Sequence, residues 1–140
     1  MSRILFFLSI LMAWGCKEAS IPKENLQYLN GYWEISEVGF PDGSKKTYKV
    51  NPTIDFIQLE NGKGFRKKMQ PRFDGTYKTS HDVEQLTVTQ VDAFFILSYS
   101  SEFSDWEETL VQIDSTNFSV MNAEGVTYSY KRFEPIKIPK

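Results

Sequence analysis

The stretch TIDFIQLENGKGFRKKMQ, residues 53–70, decides how this chain is read. Asn61-Gly62 at its centre is the strongest short-range hairpin signal, because both central positions of a type I′ turn need positive φ. Thr53 to Glu60 and Lys63 to Gln70 flank it as strands of one antiparallel pair. Pro71 stops the second strand, since proline has no N–H to donate into a central ladder.

Working outward, the same rhythm repeats. Gly31 to Phe40 alternates around Trp33 and Ile35 and ends at Pro41-Asp42-Gly43, a turn signature in which Pro sets φ and Gly supplies positive φ. Downstream, strands are expected at Gly75 to Thr79, Glu84 to Gln90, Phe94 to Ser100, Trp106 to Ile113, Phe118 to Asn122 and Val126 to Phe133. Turn clusters separate them, among them Ser80-His81-Asp82 and Ala123-Glu124-Gly125. Spacing of roughly 8 to 12 residues is that of an all-β sandwich or barrel, and no long stretch has helical periodicity. Short connections favour sequential antiparallel neighbours, and a closed barrel leaves no sheet edge exposed. The expectation is an all-β fold: a single antiparallel up-and-down β-barrel of about eight or nine strands. A barrel of about eight strands can be filled by side chains or can hold one small ligand.

Composition narrows the function. With 16 Lys+Arg against 18 Asp+Glu in 140 residues, the net charge of −2 argues against a nucleic-acid binder. One histidine and one cysteine cannot make a Cys/His zinc site, so no metal and no cofactor is expected. One cysteine cannot form an intramolecular disulfide. Aromatics at 15% indicate a packed interior.

The N-terminus reads as an address. Arg3 precedes an apolar run from Ile4 to Trp14, shorter than the roughly 20 residues of a membrane span and within the length of a secretory signal. The run ends in Ala13-Trp14-Gly15-Cys16. This resembles the lipobox of bacterial lipoproteins, in which the Cys becomes the first residue and is acylated. The resemblance implies a signal peptide over 1–15, a lipidated Cys16 with a tether over 16–25, a barrel domain over 26–134 and a C-terminal tail over 135–140. It also implies a partner, the membrane, and a location: exported and anchored to the bacterial outer membrane, on its periplasmic or cell-surface face. Asn25 to Leu29 suggests a helical turn.

At Gly31-Tyr32-Trp33 the chain is similar to the start of the first strand in lipocalins. In that family an Arg at the end of the last strand packs across the Trp at the closed end. Here Tyr128 to Phe133 ends the last expected strand, and Arg132 is the matching residue. Leu26 to Glu134 as a whole resembles the lipocalin-like domains of small bacterial lipoproteins. Gly31, Trp33 and Arg132 are thus the implied structural lock.

Several residues are candidates for chemistry. His81 beside Asp82 is read as a solvated loop residue, and no enzyme activity is expected. Carboxylates gather at Glu102, Asp105, Glu107 and Glu108, where Trp106 and Glu108 share one strand face. On the basic strand Arg66 and Lys68 share a face. Either that face is solvated, or Arg66 points into the barrel and holds an anionic group with its planar fork. Arg72 is a second basic candidate near the rim. Tyr77, Tyr99 and Tyr130 carry hydroxyls that need partners if buried. Arg66, Tyr77, Tyr99, Trp106 and Tyr130 are therefore the ligand-binding candidates. The expected function is to bind a small, partly apolar ligand without converting it. The alternative is a filled barrel acting through its surface on a partner protein of the cell envelope.

Overall fold

The computed structural model describes residues 21–134. The expected signal peptide over 1–15, Cys16 and the expected tail over 135–140 lie outside the described residues. The chain enters through a 3-10 helix at Lys23–Leu29. Nine strands follow among the described residues: β1 Gly31–Gly39, β2 Lys45–Thr47, β3 Ile54–Glu60, β4 Lys63–Pro71, β5 Tyr77–Val91, β6 Phe94–Ser100, β7 Asp105–Ile113, β8 Asn117–Met121 and β9 Thr127–Arg132.

Each strand from β3 to β9 pairs antiparallel with the next, and β9 pairs with β1 from Trp33↔Arg132 to Gly39↔Thr127. On its other edge, β1 gives Gly31 to Trp33 to β3 and Glu37 to Gly39 to the short β2. The barrel is therefore closed by eight strands, with β2 added beside β1. All three residues of β2 are exposed, so no apolar alternation marks it in the sequence. It forms because the turn after Phe40 sends the chain back along β1, with Gly43 donating to the Phe40 carbonyl at 2.9 Å.

Three expectations change in detail. The helical turn at Asn25 to Leu29 is 3-10 and begins at Lys23. Pro71 sits inside β4 as its last residue. Ser80-His81-Asp82 is not a turn, and β5 runs through it as one 15-residue strand. The ladder shows why: Lys67 pairs with Val83 and Met69 with Thr79, so one residue of β4 faces three of β5. The polar residues that look like a turn are absorbed in a bulge. The Asn61-Gly62 turn is as expected, with φ of 53° and 77°.

The lower interior is apolar and filled. Leu29, Trp33, Ile57, Leu97, Phe118 and Val120 have 0% exposure there. Leu29 brings the 3-10 helix over this end as a plug, and the Trp33 indole donates to its carbonyl at 2.8 Å. Arg132 lies across the Trp33 ring, its guanidinium carbon 3.7 Å from the centroid. That guanidinium also donates to the carbonyls of Asn30 at 2.7 Å, Tyr28 at 2.8 Å and Ser115 at 3.2 Å. It thereby ties the plug to the β7–β8 turn and to the seam at the closed end. Gly31 is required beneath it: φ is +119°, and a Cβ there would stand 2.6 Å from the Arg132 Nη1.

Trp33→Ala should cost about 3–5 kcal/mol through the cavity it leaves. Arg132→Ala should destabilise as well. The double mutant should cost less than the sum by about 0.5–2 kcal/mol, the worth of the cation–π contact. Urea unfolding of the four proteins measures this, and strict additivity would refute the coupling.

Candidate functional site

Above the apolar layer the interior changes character. Strand alternation that points Ile57, Leu86, Leu97 and Val120 inward also points charged residues inward one or two rungs higher. Asp55 is two residues from Ile57, Glu84 two from Leu86, and Tyr99 two from Leu97. Arg66 pairs with Ile57 on one side and Glu84 on the other. Tyr99 pairs with Trp106, and Leu97 with Glu108, so both β7 residues face in.

Arg66 and Asp55 are the buried charges, 7% and 6% exposed. Arg66 Nη2 donates to Asp55 Oδ2 at 3.1 Å, and Nη1 donates to the Tyr99 hydroxyl at 3.0 Å. Its guanidinium also lies 5.0 Å from the Tyr130 ring centroid and 5.6 Å from that of Tyr99. Lys68 Nζ reaches Asp55 Oδ1 at 2.9 Å from the solvent side. The Tyr99 ring stacks on Trp106, 5.2 Å apart.

Burial and charge set the protonation of this group. Burial alone would push the Asp55 carboxyl up, but Arg66 and Lys68 overcome it and hold the carboxyl below its ordinary value of 3.8. Burial likewise opposes the Arg66 charge, yet its Tyr130, Tyr99 and Asp55 neighbours keep it raised and charged. Glu108 and Glu84 behave oppositely. Burial raises both above 4.5, and the Arg66 charge offsets this only in part. A hydrogen bond with Tyr99 also favours the Glu108 anion. Tyr99 and Tyr130 are raised by burial and stay neutral phenols.

A cavity of about 640 Å³ opens above this cluster. Its wall includes Arg66, Glu84, Trp106, Glu108, Tyr128 and Tyr130, and its rim Glu107 and the 122–124 turn between β8 and β9. The volume is in the range of small-molecule sites.

The structure brings four of the five sequence candidates together: Arg66, Tyr99, Trp106 and Tyr130. Tyr77 lies elsewhere. It stacks on Tyr32 at 4.9 Å and meets Phe133 at 6.5 Å in a groove with Arg72, Phe73 and Val50. Tyr32 and Trp33 are neighbours on opposite faces of β1, so this groove is on the outside of the barrel. The folded-back β4–β5 connection carries Tyr77 there, which alternation within one strand does not reveal. Of the acidic cluster, Glu108 faces into the cavity and Glu107 borders it from an exposed position, whereas Glu102 and Asp105 are exposed away from it. His81 belongs to β5 and not to a loop.

Asp55 and Glu84 are site residues that the sequence reading missed. Their signal is present: each is a carboxylate in phase with buried apolar residues of its own strand. Among the described residues no group of His, Cys, Asp or Glu could hold a metal ion.

No protein-family profile and no curated protein matches the chain. Among solved structures it is similar to a lipocalin-like protein from Bacteroides uniformis, 12% identical, with a TM-score of 0.48 over 76% of this chain and 99% of that one. The topology of the chain itself is an eight-stranded antiparallel meander closed by β1 and β9, a lipocalin-like barrel fold.

Asp55→Ala should destabilise the protein by about 3–5 kcal/mol, because it strands a buried guanidinium. Adding Arg66→Met should restore a large part of that loss, measured by urea unfolding at neutral pH. The pH dependence has two limbs. Asp55 contributes stability above 3.8 that is lost as pH falls through its lowered value. Glu84 and Glu108 contribute stability below 4.5 that is lost as pH rises through their raised values. Unfolding free energy should therefore peak at about pH 4, between the ordinary values of the two kinds of carboxyl. Glu108→Gln should flatten the limb above the peak, and an unchanged curve in that variant would overturn the assignment.

Proposed function

We propose that this protein is a lipid-anchored binding protein that holds a small, partly apolar ligand in the upper half of its barrel and does not convert it. The observation that carries the reading is the half-filled interior. Apolar side chains close the lower half, while a cavity of about 640 Å³ with aromatic and charged walls stays open above. Polar groups that converge on such a cavity orient a ligand, and its apolar walls bind it.

The anchor is acylated Cys16, on the outer membrane of a bacterial envelope. The chain enters the barrel through the plug at the closed end, so the mouth lies at the opposite end from the tether. A ligand would then arrive from the aqueous side. Acyl chains contribute about 0.8 kcal/mol per buried CH₂, and two or more hold a protein stably on a bilayer. Cys16→Ala should move the protein from the membrane fraction to the soluble fraction of its host. Continued sedimentation with membranes would refute the anchor.

Native mass spectrometry of the domain lacking residues 1–16, purified from its own host, tests binding directly. A mass adduct that Trp106→Ala loses supports the reading. A ligand-free protein with no response to a small-molecule panel refutes it.

A second reading, a surface module acting on an envelope protein, draws on Phe73 and Phe103, exposed at 80% and 87% in the connections after β4 and β6. Cross-linking in intact cells separates the two: a captured protein partner that Phe103→Asp abolishes favours the surface.

A further inference from the structure

The balance of charge in the cavity says what kind of ligand it takes. Arg66 and Lys68 are its two cations, and both are bound to Asp55. Arg66 is further held by the Tyr99 hydroxyl and by the ring of Tyr130. Its fork is committed to the fold, so the anionic ligand that a basic strand suggests has little to meet. On the other side stand Glu84 and Glu108, which face into the cavity, and Glu124 at its rim. Asp55 already offsets one of the two positive charges, so the carboxyl groups at the cavity outnumber the positive charge left over.

We propose that the cavity binds an organic cation, an amine or quaternary ammonium on an aromatic or short apolar body, with Glu84 and Glu108 meeting the charge and Trp106 and Tyr128 the body. The inference rests on the cavity being the binding site, as proposed above. Trp106 is the best side chain for a cation–π contact and is held in place from beneath by Tyr99. A metal ion fits less well, since among the described residues no carboxylates are grouped as metal ligands.

Protonation supports the same assignment. Burial makes the anions of Glu84 and Glu108 unfavourable when the cavity is empty. The groups facing them are Asp55 on β3, Arg66 and Lys68 on β4, Tyr99 on β6 and Tyr130 on β9, with Glu84 and Glu108 facing each other. A bound ammonium adds the missing positive charge, so binding should release protons and strengthen as pH rises through the two raised carboxyls.

The test uses the full chain in phosphatidylcholine nanodiscs and isothermal titration at neutral pH. Three probes share one body: phenethylammonium, hydrocinnamyl alcohol and hydrocinnamate. The expected result is that the ammonium binds more tightly than the carboxylate by at least about tenfold. That preference should collapse in Glu108→Gln and shrink in Glu84→Gln, two variants that serve as independent checks if one fails to fold. Trp106→Ala should weaken all three probes. Equal or tighter binding of hydrocinnamate overturns the cation inference and leaves the cavity reading standing. A preference unchanged in both glutamine variants also overturns it. No heat from any probe overturns the cavity reading and this inference together.

Discussion

Closure of the barrel depends on Arg132 lying flat on Trp33. The two residues are cross-strand partners on the last and first strands, so their contact is the seam that turns a meander into a barrel. The guanidinium can occupy that place because Gly31 leaves room and three backbone carbonyls accept its protons. The 3-10 plug is fastened by the same pair, through Arg132 to Tyr28 and Asn30 and through the indole to Leu29. One contact thus fixes the seam, the plug and the closed end.

From that seam a column of rings and guanidinium groups climbs the interior. Trp33 meets Phe118 edge-on at 4.6 Å, and Phe118 stacks on Tyr130 at 4.7 Å. Tyr130 faces the Arg66 guanidinium, which bonds Tyr99, which stacks on Trp106 at the mouth. The lower part excludes water and stabilises the fold. The upper part carries charge that burial alone would forbid and that Asp55 and the tyrosine hydroxyl make tolerable. The Arg66–Asp55 pair marks the level at which the filled core ends and the cavity begins.

Much of the fold was legible because turn chemistry is local. Asn61-Gly62 and Pro41-Asp42-Gly43 announce themselves through φ alone, and Phe94 to Ser100 is a strand with the same bounds in sequence and structure. The missed features are non-local. Continuity of β5 through Ser80-His81-Asp82 comes from a bulge against β4, and β2 exists only because β1 offers it an edge. In the site, Arg66, Tyr99, Trp106 and Tyr130 were legible as in-phase polar or aromatic residues. Asp55 and Glu84 obey the same parity but sit alone among unlike neighbours on their strands.

The sequence by itself determined the strand rhythm, the turns, the Trp33–Arg132 lock and the set of side chains able to face inward. The rhythm, the turns and the inward set follow from backbone φ preferences and a two-residue period, and the lock is what the resemblance to lipocalins implies. Only the tertiary structure decided which inward residues meet. It sent Tyr77 outside to stack on Tyr32, engaged Arg66 with Asp55, and left the glutamates around the cavity without an equal positive charge. The reason is physical: whether a buried charge is spent on the fold or offered to a ligand depends on the groups facing it across the barrel, and strand register across the barrel is not a local property of the chain.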